Sequence, residues 1–205
     1  MQRPRLLSLA LGIMLGGFIA AAGASGDTAA TRATHHGFFV RWDLVLISNG
    51  VAVAGGSDVA TDSGGDTLTL TGSGTVEPKE SEGAGGGTWA FHGSDGETDH
   101  GVYYVTRFLS WQRLAGGDFA ATGLIDGIGN GPGSSRNENE PSSGILRLGI
   151  HFISDSGEEV NGILRVNCHL PGTVVDVPEG IRVRIPKFDL TFEPTSGVTL
   201  FHLLR

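Results

Sequence analysis

Glycine interrupts this chain so regularly that its position is the strongest constraint on the fold. Thirty-four of the 205 residues are glycine, and they stand between short runs rich in Val, Ile, Leu, Phe, Thr and Trp. Short runs of this composition bounded by turn-forming residues are typical of β-strands. No segment after residue 24 has the apolar spacing of an amphipathic helix. The sequence therefore predicts an all-β protein.

About nine or ten strands are predicted, arranged as a single antiparallel β-barrel, with a β-sandwich as the alternative. The chain ends in an apolar strand that needs a partner on each side, which favours the closed barrel. Polar, Gly-rich segments at 55–66 and 79–86 are predicted to be loops. The predicted strands are 38–48, 66–78, 86–93, 102–111, 119–126, two that begin at Gly144 and Gly162, 180–186, 187–192 and 197–204.

The N-terminal residues 1–24 have the composition of a secretory signal peptide. Arg3 and Arg5 precede an apolar stretch, and Ala22-Gly23-Ala24 is a small-residue cleavage site. Cleavage there predicts a secreted or periplasmic protein whose mature chain is not inserted in a membrane. Residues 25–36 are predicted to be a flexible N-terminus, and 37–205 a single domain with a mobile loop at 127–143.

Charge and cysteine content exclude several classes of function. Removal of the signal peptide changes the formal charge from −8 to −10, and an acidic protein of this kind is a poor binder of nucleic acid. Cys168 is the only cysteine, so neither an internal disulfide nor a multi-cysteine zinc site can form. No cofactor is predicted.

A repeated sequence, GILR at 144–147 and again at 162–165, is followed in each copy by a histidine, His151 and His169. Strand alternation places Leu146, Leu148, Leu164, Val166 and Cys168 on an apolar face, and the Arg and His residues on the opposite face. We therefore predict two adjacent strands around a turn centred on Gly157, with Arg147 opposite Asn167. That register keeps the two histidines too far apart to share a metal ion.

Candidate ligand-binding residues lie mainly in segment 102–111, which has large side chains on both faces. With strict alternation, Tyr103, Arg107 and Trp111 share one face and Tyr104 lies on the other. An inward Arg107 would need an anionic ligand or a carboxylate partner such as Asp43. The predicted ligand-binding residues are Tyr103, Tyr104, Arg107, Trp111 and His202.

No motif for nucleophilic catalysis or for a metal site occurs, so the catalytic residues are unknown and no metal is predicted. The Asp-Gly segments 62–68, 95–99 and 154–159 leave calcium binding as an alternative to ordinary turns.

These features favour a non-enzymatic exported barrel that binds a small, largely apolar molecule. A barrel-type cyclase or isomerase acting on an apolar substrate, with Arg107, Tyr104 or His202 as its functional groups, is one alternative. A structural or interaction module with a filled core is another. The contents of the barrel interior distinguish the three.

The signal peptide gives the first testable expectation. Mass spectrometry of the exported protein should find its N-terminus at or near Ser25, because the A-x-A site ends at Ala24. Recovery of a chain that retains Met1 from a membrane fraction would contradict this.

Overall fold

The computed structural model describes residues 38–128 and 139–204. The predicted signal peptide, the N-terminal segment 25–36 and positions 129–138 of the predicted mobile loop lie outside these residues. Within them the chain is almost wholly β, with two short 3₁₀ turns at Ala120–Thr122 and Pro186–Phe188. The strands are β1 Phe39–Ser48, β2 Val51–Ala54, β3 Ser57–Thr61, β4 Thr67–Thr71, β5 Ser73–Glu77, β6 Glu82–His92, β7 Thr98–Arg113, β8 Ile125–Asp126, β9 Asn139–Ser142, β10 Gly144–Ser154, β11 Glu159–Cys168, β12 Gly180–Ile185, β13 Leu190–Ser196 and β14 Thr199–Leu204.

Eight of these strands close into an antiparallel barrel, which confirms the predicted fold class and its preference over a sandwich. Around the barrel the order is β3, β13, β12, β11, β10, β7, β6 and β4, and β4 closes the circle by pairing with β3. The sheet continues beyond β6 through β5, β1, β14 and β9, so these strands form an outer extension of the wall. In the described part of the chain, no helix has the length and apolar character needed to cross a membrane.

The barrel core consists of side chains that meet across neighbouring strands. One belt of the core runs across four neighbouring strands, with each side chain directly opposite the next. It consists of Leu148 on β10, Leu164 on β11, Val183 on β12 and Phe192 on β13. All four are at most 1 % exposed. Full burial of one such side chain stabilises the fold by about 1.5–3 kcal/mol. This belt is therefore a main source of stability for a domain whose described residues hold no disulfide.

Three segments that were predicted to be loops form strands, which accounts for part of the excess over nine or ten. One is β9, Asn139–Ser142, which lies in the predicted mobile loop and pairs with β14. The other two belong to β3 and β6. Residues 57–61 form β3, and Glu82–Gly86 form the first half of β6. Both had been assigned to loops because they are polar or rich in glycine and lack an apolar alternation. The backbone of β3 nevertheless pairs on both sides, with β4 and β13, and Glu82–Gly86 pairs with β5 along its whole length, with Gly86 also opposite Tyr104 of β7. Tertiary pairing overrides weak local preference here.

The two GILR segments form β10 and β11, adjacent antiparallel strands joined by a tight turn, as predicted. The predicted apolar set is buried, with Cys168 only 1 % exposed and the other four at 0 %. The register, however, was wrong by two residues, because Arg147 lies opposite Arg165 and not opposite Asn167.

The turn between the strands explains the error in register. The N–H of Ser154 donates to the carbonyl of Glu158, and the N–H of Gly157 donates back to Ser154. Gly157 has φ +87°, so it is the left-handed last residue of a three-residue turn, and the centre of the hairpin is Ser156. The prediction had placed Gly157 at the centre of the turn, and this gave the wrong opposing pairs.

The hairpin yields a paired mutational test of its two faces. Leu148→Ala should lower the free energy of unfolding by about 2–5 kcal/mol, because it removes a fully buried side chain. His151→Ala, three residues along the same strand, should cost less than half as much, because it removes only partly exposed hydrogen bonds to Asn161 and Glu159. Urea denaturation measures both, and a larger loss for His151→Ala would contradict the assignment of faces.

Candidate functional site

The sequence-predicted ligand residues do not come together in one site. Tyr103 points into the barrel, is 2 % exposed and donates its hydroxyl hydrogen to the carbonyl of Thr71 at 2.8 Å. Tyr104 is on the outer surface, 46 % exposed, with its ring 5.2 Å from that of His151. Arg107 lies on the same outer surface as Tyr104, whereas Trp111 packs against β14 and His202 belongs to that strand.

Trp111 and His202 lie where the outer strands cover the barrel, on opposite sides of β14. The Trp111 ring packs edge-on against Phe201 at 4.7 Å. His202 is fully buried, and its Nε2 lies 2.9 Å from a carboxylate oxygen of Asp126. A buried histidine that is hydrogen-bonded to a carboxylate can have a structural role, and the same arrangement also orients a general base in enzymes. No hydroxyl or thiol of a described residue is within hydrogen-bond distance of the ring, so the described contacts supply no nucleophile.

Arg107 lies on the outer surface because β7 departs from strict alternation. Two β-bulges interrupt its pairing with β10, one at Thr106 and one at Leu109. A bulge inserts one unpaired residue and reverses which face the following side chains occupy. Val105, Phe108 and Trp111 thereby follow Tyr103 to the inner side, while Arg107 turns outward. Asp43, considered as its partner, is instead bound by both Nε and Nη2 of Arg41.

Arg107 belongs to a set of five outward arginines on four adjacent strands. We call this set the arginine face. Nine Lys and Arg residues occur in the described part of the chain, and more than half of them lie on this one surface of an acidic protein. Its members are Arg107 on β7, Arg147 on β10, Arg165 on β11, and Arg182 and Arg184 on β12.

Three members of the arginine face form a single row across the sheet. Arg147 lies directly opposite Arg165, and Arg165 lies directly opposite Arg182. Adjacent strands are about 4.8 Å apart, so the row spans roughly 10 Å. Burial lowers the pKa of Arg165, and the positive charges of Arg182 and Arg147 lower it further, while Glu193 acts in the opposite direction.

A second row, one step along the strands, completes the surface. Arg107 lies opposite Gly149, which lies opposite Ile163, which lies opposite Arg184. A Cβ at Gly149 would be 2.7 Å from Cγ of Arg107 and 2.9 Å from its Nε, so the Arg107 side chain lies flat across this glycine. The arginines thus surround a shallow floor of Gly149 and Ile163.

Carboxylates meet the arginine face along one edge. Arg182 pairs with Glu193 at 2.9 Å, and Arg184 lies 3.6 Å from Asp189. Both acids line an open depression of about 460 Å³ at the end of β13, beside Asp62. Among the described residues, no carboxylate lies within 4.0 Å of Arg107, Arg147 or Arg165. The uncompensated charge is therefore on the side of β7, β10 and β11.

A second polar cluster is buried inside the barrel near one end of β3. Asp58 is 0 % exposed, and neither of its carboxylate oxygens makes a hydrogen bond of ordinary geometry with a described residue. Burial raises the pKa of Asp58 to about 7, and the nearby carboxylate of Glu179 contributes, against a smaller effect of the backbone N–H of Val198. Burial and the charge of Asp58 likewise raise the pKa of Tyr103.

Glu179 is held by hydrogen bonds that Asp58 lacks. It accepts from the backbone N–H groups of His169 and Thr199, and the Thr199 hydroxyl lies 2.8 Å away. Burial raises its pKa, while these N–H groups oppose the shift. In the described residues, no group of three or more His, Cys, Asp or Glu side chains is placed to hold a metal ion. The cluster is thus a pair of buried acids that favours a protonated Asp58.

The Asp-Gly segments considered for calcium form hydrogen-bonded turns. One oxygen of Asp62 accepts the N–H groups of Gly64 and Asp66, and Asp95 accepts the N–H of Glu97. These contacts are those of ordinary Asx turns.

Sequence reasoning missed both the arginine face and the buried pair of acids. Asp58 lay in a predicted loop, and the opposition of the arginines depends on the register of the strands.

Comparison of the whole chain with models of protein families, with curated proteins and with solved structures finds no match of any of the three kinds. The function must therefore be argued from the site geometry alone.

The buried acid gives a pH-dependent prediction. Asp58 holds its proton more strongly when folded, with a pKa of about 7 against 3.8 for the free group. Stability from this group is therefore full below pH 4 and is lost as the pH rises towards 7, by on the order of a few kcal/mol. In Asp58→Asn that loss should vanish, so the variant should gain stability relative to the wild type between pH 4 and pH 8.

Urea denaturation across this range measures the difference between the two proteins. Asp62→Asn serves as the control, because that carboxylate lies in a surface turn and its replacement should leave no such pH-dependent gain. A constant difference between Asp58→Asn and the wild type would contradict a raised pKa at this position.

Proposed function

We propose that this protein is an exported interaction module that acts through the outer surface of its barrel. The observation that carries this choice is the packing of the barrel interior. A side chain beside a cavity wide enough for water would keep accessible surface, yet the interior residues Leu70, Leu148, Leu164, Ile181 and Val183 are each 0 % exposed. Among these described residues the interior is packed at native density, which leaves no room for a ligand between them.

The aromatic residues of the barrel interior support the same choice. Trp89 and Tyr103 both contact the ring of Phe152, at 5.8 and 5.9 Å, and Phe91 contacts Phe192 at 6.4 Å. Aromatic pairs at these separations stabilise a core by about 0.5–1.5 kcal/mol each beyond their buried area. Each of these rings packs against another aromatic ring, which favours a structural role in the core.

Proton-transfer catalysis inside the barrel, as in a cyclase or isomerase, is the second candidate. One observation favours it, namely a buried carboxyl at Asp58 that titrates near neutral pH beside Tyr103. The zero exposure of Asp58 counts against it, because a substrate would need to reach that group. Of the groups suggested from sequence, Arg107 and Tyr104 lie on the outer surface, whereas His202 is buried, so the three do not form one site.

Titration with neutral apolar molecules distinguishes these functions. The wild-type mature protein should show no saturable binding of N-phenyl-1-naphthylamine by fluorescence or of benzene by calorimetry, because its core is filled. Leu148→Ala is the matched positive control, since a cavity lined by apolar side chains remains dry and binds benzene. Saturable binding by the wild type that perturbs Trp89 fluorescence would overturn the proposal in favour of an interior site.

A further inference from the structure

The arginine face lowers the stability of the sheet through charge repulsion, and folding alone does not explain why arginines occupy these positions. Like charges directly opposite on neighbouring strands destabilise a sheet, and the row contains two such pairs in succession. Salt bridges within the described residues neutralise only the β12 end, at Arg182 and Arg184. Energetically unfavourable arrangements of this kind are typical of binding surfaces, where stability is given up for function.

The chemistry of arginine limits which ligand groups would fit this surface. Each guanidinium presents a planar fork of donors that matches the oxygens of a carboxylate, sulfate or phosphate group. The strands that carry successive arginines are about 4.8 Å apart. A ligand that uses the whole row therefore needs several anionic groups at short, regular intervals along a line.

The surroundings of the arginine face favour a single narrow chain over a broad anionic surface. Asp62, Asp189 and Glu193 line the depression beyond β12, and the formal charge of the whole chain is −8. A membrane plane or a nucleic-acid duplex would bring further anionic groups over these acids and be repelled. A chain laid across the row meets these acids only at its β12 end, and over β11, β10 and β7 it follows the uncompensated arginines.

Uncharged side chains on the same face suit a carbohydrate. Gly149 and Ile163 form the floor between the arginine rows, and a sugar ring has a flat apolar side that rests on such a surface. Ser110, opposite Arg147, extends the row on β7 with a hydroxyl. The exposed ring of Tyr104, beside His151, stands at the end of the same surface.

We propose that the arginine face binds a linear acidic polysaccharide that carries carboxylate or sulfate groups, with the chain running across β12, β11, β10 and β7. This rests on the proposed function to the extent that both place binding on the outer wall. Arg165 lies at the centre of the row, with its Nε donating to Oδ1 of Asn167 at 2.7 Å, which orients the fork. Its fork and those of Arg147 and Arg182 hold successive anionic groups.

Calorimetric titration of the mature protein with defined oligosaccharides tests the proposal. The probes are a sulfated heparin-type hexasaccharide, an oligogalacturonate and a neutral cello-oligosaccharide of the same length. At low salt at least one of the acidic probes should bind and the neutral one should not. The logarithm of the affinity should fall linearly with the logarithm of salt concentration, as counterions are released.

Matched variants locate the binding site. Arg165→Gln should weaken binding by at least about tenfold, the loss expected when one charge-assisted interaction is removed. Lys79→Gln, the same change of charge in the turn between β5 and β6, should change it by less than about twofold. The double variant Arg147→Gln/Arg182→Gln should also flatten the salt dependence, whereas Lys79→Gln/Arg113→Gln should not.

Thermal unfolding separates a binding role from a structural one. Arg165→Gln should unfold at the same temperature as the wild type or higher, because it relieves repulsion in the row. Loss of binding together with loss of the fold would overturn the assignment, as would equal weakening in the control variants. Absence of binding to both acidic probes, or tighter binding to an oligonucleotide or to phosphatidylglycerol vesicles, would also overturn it. None of these outcomes depends on the apolar titration that tests the filled interior.

Discussion

The three-residue turn between β10 and β11 determines both faces of the barrel wall. Its hydrogen bonds to Ser154 and its left-handed Gly157 place Leu148 beside Leu164 on the inside and, through the same register, Arg147 beside Arg165 on the outside. A slip of one residue would reverse every side chain across the wall, so burial of the apolar set holds the register firmly. The register set by this turn therefore places Arg147 and Arg165 opposite one another on the outer face.

The fold class and the core face of this hairpin could be predicted because both depend on local alternation. Apolar residues at every second position of 144–152 and 162–170 specify a half-buried strand whatever its partner is. The register depends instead on the backbone conformation of one glycine, which the sequence does not state. A shift of two residues leaves the apolar faces matched, so alternation alone does not distinguish Asn167 from Arg165 as the partner of Arg147.

The candidate sites were harder to predict, since each depends on an irregular feature of the backbone. Arg107 is outward only because β7 has a bulge at Thr106, and no residue type near that position marks it in advance. Asp58 is inward only because a polar segment pairs on both sides to become β3. Long-range pairing determined both clusters, because the register of β10, β11 and β12 sets which arginines oppose one another and the pairing of β3 turns Asp58 inward.

Because Cys168 is buried, its reaction with a thiol reagent can be used to measure local opening of the barrel. The thiol is 1 % exposed at the end of β11, and burial raises its pKa well above the usual range, so the reactive thiolate is scarce as well as hidden. An oxidising compartment would otherwise link such thiols between molecules. Because the chain has no second cysteine, the rate at which a thiol reagent labels it reports directly on how often β11 separates from its neighbours.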